Sequence, residues 1–318
     1  LDARAWAGVR DGVFGGAFDG AAPDLVYCFY EMEFLAGALE VQSTRPGMAI
    51  AMRMAGLGWL DAIDRGTGPG AGEVLRIFGA VDTINFLSER SRALIEARAA
   101  AAGMRLAPRA SFTADIGVSV GRVAAGWEGP GAGPGLDILL ASRFDPPQKR
   151  QDLLVEAAGL LKGRLPLRIT MVGNGRAREA VTRRRDALGL QGTVEIRPFM
   201  VQEELWAAMR RADLLAHPCE HEGVSKIILE AMMLGLPVLA SDVEPLPDYV
   251  IEGETGLRVA NTPEAWAAKL VEIAGAKERL APMAARARAF VEATYDVGKN
   301  LERYEAAFAA LVAGRRDP

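Results

Sequence analysis

Cysteine and histidine are nearly missing from this chain, with two of each in 318 residues. Cys28 and Cys219 cannot build a disulfide framework, and no C-x-x-C spacing points to zinc. Each is expected to be a small, buried, apolar residue. Positive charge is not in excess either. The net charge of −4 gives no support for a nucleic-acid partner. No uninterrupted apolar run is long enough to cross a bilayer, and no basic-then-apolar secretory start is present. Cytoplasmic residence is therefore the default expectation. An initial methionine is also lacking. The opening "LDARAWAGVRDGVFGGAFDG" reads as the middle of something, so the chain is expected to be a fragment or a sequence stripped of disordered parts.

What is present is an ordinary globular composition, 50% apolar and 25% charged. Single cores rarely grow past about 250–300 residues, so two domains are expected. Short β-like runs alternate with longer helical patterns, the mark of a parallel sheet covered by helices. In the first part the strand candidates are 24–30, 48–54, 82–88 and 109–114. The Gly/Pro-rich "EGPGAGPG" at 128–135 cannot hold a helix and reads as a linker. The alternation then restarts with strands at 136–142, 167–173, 193–199, 213–218, 237–241 and 253–259. The expected division is 1–128, a linker at 129–135, a second domain at 136–290 and a closing helical segment at 291–318.

Three stretches carry chemistry. "ASRFDPPQKRQDLL" brings Arg143, Lys149 and Arg150 into a proline-stiffened loop between a strand and a helix. Ligands of open α/β sheets sit at the carboxyl ends of strands, and cations beside a helix N-terminus suit a diphosphate. A solvated connecting loop is the other reading. "MVGNGRARE" places Gly173-Asn174-Gly175 after a strand. That is half of a dinucleotide fingerprint, and its glycines serve either a phosphate or the turn alone. "EHEGVSKIILEAMMLGLP" sets Glu222 before Gly223 where a loop becomes a helix, with Ser225 positioned to cap it. Glu230 follows two turns on, between "IIL" and "AMM". A carboxylate in such apolar company needs partners, and a vicinal diol offers it two parallel hydrogen bonds. His221 adjoins Glu222 and is read as lining the loop; His217 is read as structural.

"EGVSKIILEAMMLGLPVLASD" resembles the nucleotide-sugar signature of retaining family 4 glycosyltransferases, at Glu222, Gly223, Glu230, Ala231, Met232, Gly235, Pro237, Val238 and Ser241. Earlier and later segments fall in that family's order, so the resemblance covers residues 136–315. It implies an α/β, GT-B fold, two Rossmann-like domains facing across a cleft, with the N-terminal domain apparently incomplete. It implies a metal-independent hexosyl transfer from a UDP- or GDP-sugar. Glu222 would contact the donor sugar, Glu230 the ribose, and Arg143 and Lys149 the diphosphate. Gly173 and the main chain of Gly223, Val224, Ser225 and Lys226 would line sugar and phosphates, and Phe199 and Met200 would flank the base. No cofactor and no metal are implied, the nucleotide sugar being a substrate. The acceptor would be a glycan, a lipid-linked or a small molecule, with peripheral contact at the inner membrane face allowed for.

The first domain matches less well. The family's first strand and Gly-rich loop are not recognisable before residue 24. Ala55-Gly56 stands where many members carry a His-Gly near the sugar, and Arg53 is the nearest candidate substitute. Two rival readings stay open. One is a nucleotide-sugar-binding protein without catalysis. The other is a dinucleotide enzyme argued from "VGNGR", which lacks the third glycine.

Overall fold

A computed structural model describes residues 23–29, 32–54, 79–101, 110–115, 117–119 and 126–316. Ala55-Gly56 and the stretch before residue 23 lie outside these. The chain divides into two compact units, Leu1–Asp115 with Gly298–Pro318, and Ile116–Val297.

In the first unit four strands form a parallel sheet in the order β1-β2-β3-β4: Leu25–Phe29, Ala49–Met54, Thr83–Phe86 and Ala110–Thr113. Strand β2 lies between two neighbours, and accordingly every residue of it except Arg53 is buried. Helices α1 (Met32–Thr44) and α2 (Glu89–Ala101) complete the described connections. Leu35, Ile50, Met52, Ile84, Phe86 and Ile95 share one apolar cluster. The last helix, α9 (Val297–Arg316), contributes to this unit from Gly298 onward. Its Tyr304 hydroxyl reaches Asn85 Oδ1 at 2.9 Å and the Ala114 carbonyl at 3.0 Å. Tyr304 and Phe308 pack edge-on to Phe112.

The second unit holds a six-stranded sheet in the order β10-β9-β8-β5-β6-β7. Its strands are β5 Leu136–Ala141, β6 Leu167–Val172, β7 Val194–Arg197, β8 Leu214–His217, β9 Val238–Ser241 and β10 Leu257–Val259, all paired in parallel. The helices are α3 Gln151–Leu161, α4 Arg178–Ala187, α5 Gln202–Arg211, α6 Lys226–Leu234, α7 Pro263–Gly275 and α8 Leu280–Thr294. Separate apolar clusters contain Leu154 and Trp266 on the one hand and Ile228 and Tyr249 on the other. Helix α6 is apolar nearly all round and buries Ile228, Leu229, Met232, Met233 and Leu234. Each large side chain so buried contributes about 1.5–3 kcal/mol. It stops because Gly235 turns to φ +81°, where its N–H meets the Ala231 and Met232 carbonyls, and Pro237 follows.

The order of strands fixes where a ligand would sit. The chain builds β5, β6 and β7 outward on one side, then returns to lay β8 against the other side of β5. That reversal is a topological switch point, and the loops leaving β5 and β8 open there.

Contacts divide the chain at Asp115/Ile116 and Val297/Gly298 rather than around 129–135 and 290/291. The Gly/Pro stretch expected as a linker is tied down within the second unit. Trp127 N–H donates to the Leu234 carbonyl and Glu128 N–H to that of Arg210. The buried carboxylate of Asp213 accepts from the N–H groups of Gly131 and Asp137 and pairs with Lys277. At Gly131 no side chain shields the backbone N–H, and the carboxylate reaches it directly.

Candidate active site

The segment leaving β5 and the segment leaving β8 are laced together. Glu220 N–H donates to the Gln148 carbonyl at 3.0 Å and Arg150 N–H to that of Pro218 at 3.1 Å. This brings Lys149, His217 and Glu222 to one point. The Lys149 ammonium lies on Glu222 Oε2 and 3.3 Å from His217 Nε2. His217 Nε2 is 2.9 Å from the same carboxylate oxygen. Glu222 Oε1 faces the Gly223 N–H at 3.2 Å.

The electrostatics are settled by burial and pairing. Burial alone would raise the Glu222 carboxyl, but the His217 hydrogen bond and the Lys149 charge outweigh it and hold it down at about 2. Burial keeps the imidazole of His217 below its ordinary range; Glu222 pulls it back up and Lys149 pushes it further down. His217 is therefore neutral near pH 7, and facing a carboxylate it carries its proton on Nε2. The site presents one cation, one anion and one neutral donor. Glu222 stays ionised and has a lone pair on Oε1 to offer a hydroxyl.

His217, Cys219 and Glu222 place three ligand-type atoms within 4.8 Å of one another. The group suits a metal poorly. Lys149 already brings a positive charge onto two of the three, so a cation there would have to displace the ammonium.

Arg143 does not join this cluster in its own contacts. It is 73% exposed and pairs with Asp145 at 3.6 Å. Gly173 stands at φ +147°, and a Cβ there would come within 2.0 Å of the Ser142 carbonyl oxygen. Close approach of the turns after β5 and β6 thus demands glycine, whatever else the residue does. The main chain between them is linked by Phe144 N–H to the Asn174 carbonyl at 2.9 Å.

The turn into α6 has a different support from the one expected. Ser225 is the N-cap but makes no side-chain cap bond. Its N–H donates at 3.0 Å to the hydroxyl of Tyr249, which in turn donates to the Gly223 carbonyl at 3.0 Å. Tyr249 is fully buried. With the N–H groups of Gly223 and Ser225 engaged, Lys226 at the first position of α6 has the N–H that a helix start leaves without an internal partner. Val224 is half-buried beside it.

Glu230 finds partners inside the protein. Its Oε2 accepts from Gln202 Nε2 at 2.9 Å and Trp206 Nε1 at 3.4 Å, so one oxygen is already engaged rather than both being open to a diol. Ahead of these residues Phe199 is 73% exposed and Met200 partly buried. Sequence reasoning missed His217, Tyr249, Gln202 and Trp206 as members of the site. His217 was findable in principle, since it ends a strand at the switch point, five residues before Glu222. Tyr249 lies 24 residues from Ser225 in a loop without a motif.

The family-level match falls mainly on the second unit. The sequence pattern of the family described as Glycosyl transferases group 1 matches residues 135–308. A D-inositol 3-phosphate glycosyltransferase of Rhodococcus erythropolis is 37% identical over 150 residues, 44% of this chain and 34% of that protein. The enzyme of that name from Nocardia farcinica is 34% identical over 207 residues, 59% of this chain and 46% of that protein. The chain thus spans between a third and a half of the length of these relatives. Among solved structures, Anabaena HepE in complex with UDP superposes with a TM-score of 0.74 at 16% identity, covering 97% of this chain and 82% of that one. The shared fold is GT-B, with parallel α/β sheets. A match running from Gly135 to the end of the second unit and into α9, more than half of the chain, decides the family: this chain belongs to the group 1 glycosyl transferases.

Proposed function

We propose that the second unit binds a UDP- or GDP-linked sugar, and that the protein transfers that sugar to an acceptor with retention and without a metal. The observation that carries this reading is the meeting of Lys149, His217 and Glu222 at the switch point between β5 and β8. Glu222 would accept from a sugar hydroxyl through Oε1. His217 and Lys149 fix its other oxygen and keep it ionised. Lys149 and the exposed Arg143 would offset charge on the departing diphosphate, helped by the N–H groups at the start of α6. Phe199 and Met200 would flank the base and Glu230 the ribose, with Gly173 and Val224 lining the pocket. The leaving phosphate would take the acceptor's proton as the new glycosidic bond forms on the same face. HepE's complexes with UDP and with UDP-glucose support a nucleotide-sugar substrate, and the names of the Rhodococcus and Nocardia relatives support glycosyl transfer. The acceptor would be a glycan, a lipid-linked molecule or a small polyol. No helix among the described residues is long and apolar enough to cross a membrane. A cytoplasmic setting, with peripheral contact at the inner membrane face, belongs to this proposal.

The test is incubation of the purified protein with radiolabelled UDP- and GDP-sugars, with and without EDTA, following donor breakdown and transfer. Donor turnover that survives EDTA is expected. Tight donor binding with neither transfer nor slow hydrolysis would identify a binding protein instead, and failure to bind any nucleoside-diphosphate sugar would defeat the reading.

A further inference from the structure

Gln202 and Trp206 stand four residues apart on α5, so one helix face delivers both donors to Glu230 Oε2. The Trp206 ring packs against the apolar cluster that contains α6, which anchors its N–H. Gln202 opens α5 directly after the loop that carries the exposed Phe199 and Val201. A glutamate side chain has considerable rotamer freedom to lose when it grips a ligand. Here much of that freedom is already removed. Two donors on Oε2 fill its lone pairs and set the plane of the carboxylate, so Oε1 is the oxygen with lone pairs still to give.

Resting on the reading of Glu230 as the ribose contact, we propose that Gln202 and Trp206 are positioning residues for the nucleotide. They aim Oε1 of Glu230 at the ribose hydroxyls and tie that contact to the loop beneath the base. Nucleotide affinity is then set from α5, by side chains that do not touch the ligand, and a shift of loop 199–201 is felt at the ribose through Gln202.

The experiment is isothermal titration of the parent, Gln202→Leu, Trp206→Phe and the double variant. The probes are UDP and GDP, each compared with its 2′-deoxy and 3′-deoxy counterpart. The parent should bind a ribonucleotide about tenfold more tightly than at least one deoxy counterpart, the scale of a hydrogen bond to a charged group. In the double variant the ribonucleotide should bind about five- to tenfold more weakly while the deoxy counterpart binds as before. The ratio then collapses toward one, and the donor KM rises more than kcat falls. A ratio equal to the parent's, with both ligands weakened alike, means a merely structural role and overturns the proposal. Should Trp206→Phe fail to fold, the exposed Gln202→Leu substitution alone carries the test, with at least a threefold fall in the ratio required. A parent that does not distinguish ribose from deoxyribose instead removes Glu230 from the ribose, and the inference goes with it.

Discussion

The ammonium of Lys149 rests on the carboxylate of Glu222 across 73 residues of sequence, with side chains only 9% and 12% exposed. Such a pair stabilises little relative to apolar residues of the same shape, but removing one member strands the other. The cost of that is about 3–5 kcal/mol. Lys149→Ala should therefore lower the melting temperature as well as turnover. The double substitution Lys149→Met with Glu222→Leu should recover much of the lost stability and none of the turnover. Thermal denaturation alongside donor turnover checks this. A double variant as unstable as Lys149→Ala alone would mean the two charges are not each other's main partner.

Arg143 offers the opposite combination. Its pairing with Asp145 is long and solvent-exposed, and such contacts contribute about 0–1 kcal/mol. Arg143→Ala should leave the melting temperature within a degree or two of the parent. Turnover should nonetheless fall more than ~10²-fold, the scale of deleting one preorganised charge donor. Unchanged turnover in a stable variant removes Arg143 from the diphosphate.

His217 makes stability depend on pH in a calculable direction. Its folded pKa lies below the unfolded value near 6.5, so between the two the unfolded chain holds a proton that the folded one does not. Stability is complete above about pH 6.5 and is lost as pH falls, by up to about 1.4 kcal/mol per pH unit for this one group. Glu222 acts lower, where its depressed carboxyl stabilises the fold above the ordinary carboxylate range and loses that effect as pH drops toward about 2. Urea unfolding of the parent and of His217→Asn between pH 5 and 8 reads the histidine, since Glu222 acts below that window. The slope should be present in the parent and vanish in His217→Asn.

The sheets were legible because most of their strands are largely apolar runs bounded by turn residues. Every strand among the described residues falls within the range that periodicity assigned, from Leu25–Phe29 to Leu257–Val259. The glycines after β6 were legible as a turn, but not their reason, which is a carbonyl of another strand's loop 2.0 Å from any added Cβ. The motif around α6 located Glu222 and Glu230, and could not show what each would touch. Glu222 meets a lysine from the loop after β5 as well as the histidine that ends its own strand β8, and Glu230 meets an indole from another helix. The lysine and the indole depend on how strands and helices are ordered in space, which local periodicity does not encode. The stretch 128–135 misled for a related reason: glycine-rich backbone looks unstructured until a buried aspartate from β8's entrance is seen to cap it.

Tyr249 gives the last prediction, because its hydroxyl bridges the two ends of the turn that follows Glu222. It donates to the Gly223 carbonyl and accepts from the Ser225 N–H, both at 3.0 Å, in a fully buried position. Tyr249→Phe keeps the ring and its edge-on packing against Tyr295 but leaves two backbone groups unsatisfied. A buried polar group so stranded costs about 1–3 kcal/mol, which the turn can reduce only by shifting. Movement there displaces Glu222 at one end and the first N–H of α6 at the other, so both the sugar and the phosphate contacts should suffer. Tyr249→Phe should raise the donor KM several-fold and lower kcat as well, whereas a purely structural loss would lower the melting temperature with both constants intact. Steady-state kinetics at temperatures well below melting distinguish the two, and unchanged constants would mean the turn holds its shape without the hydroxyl.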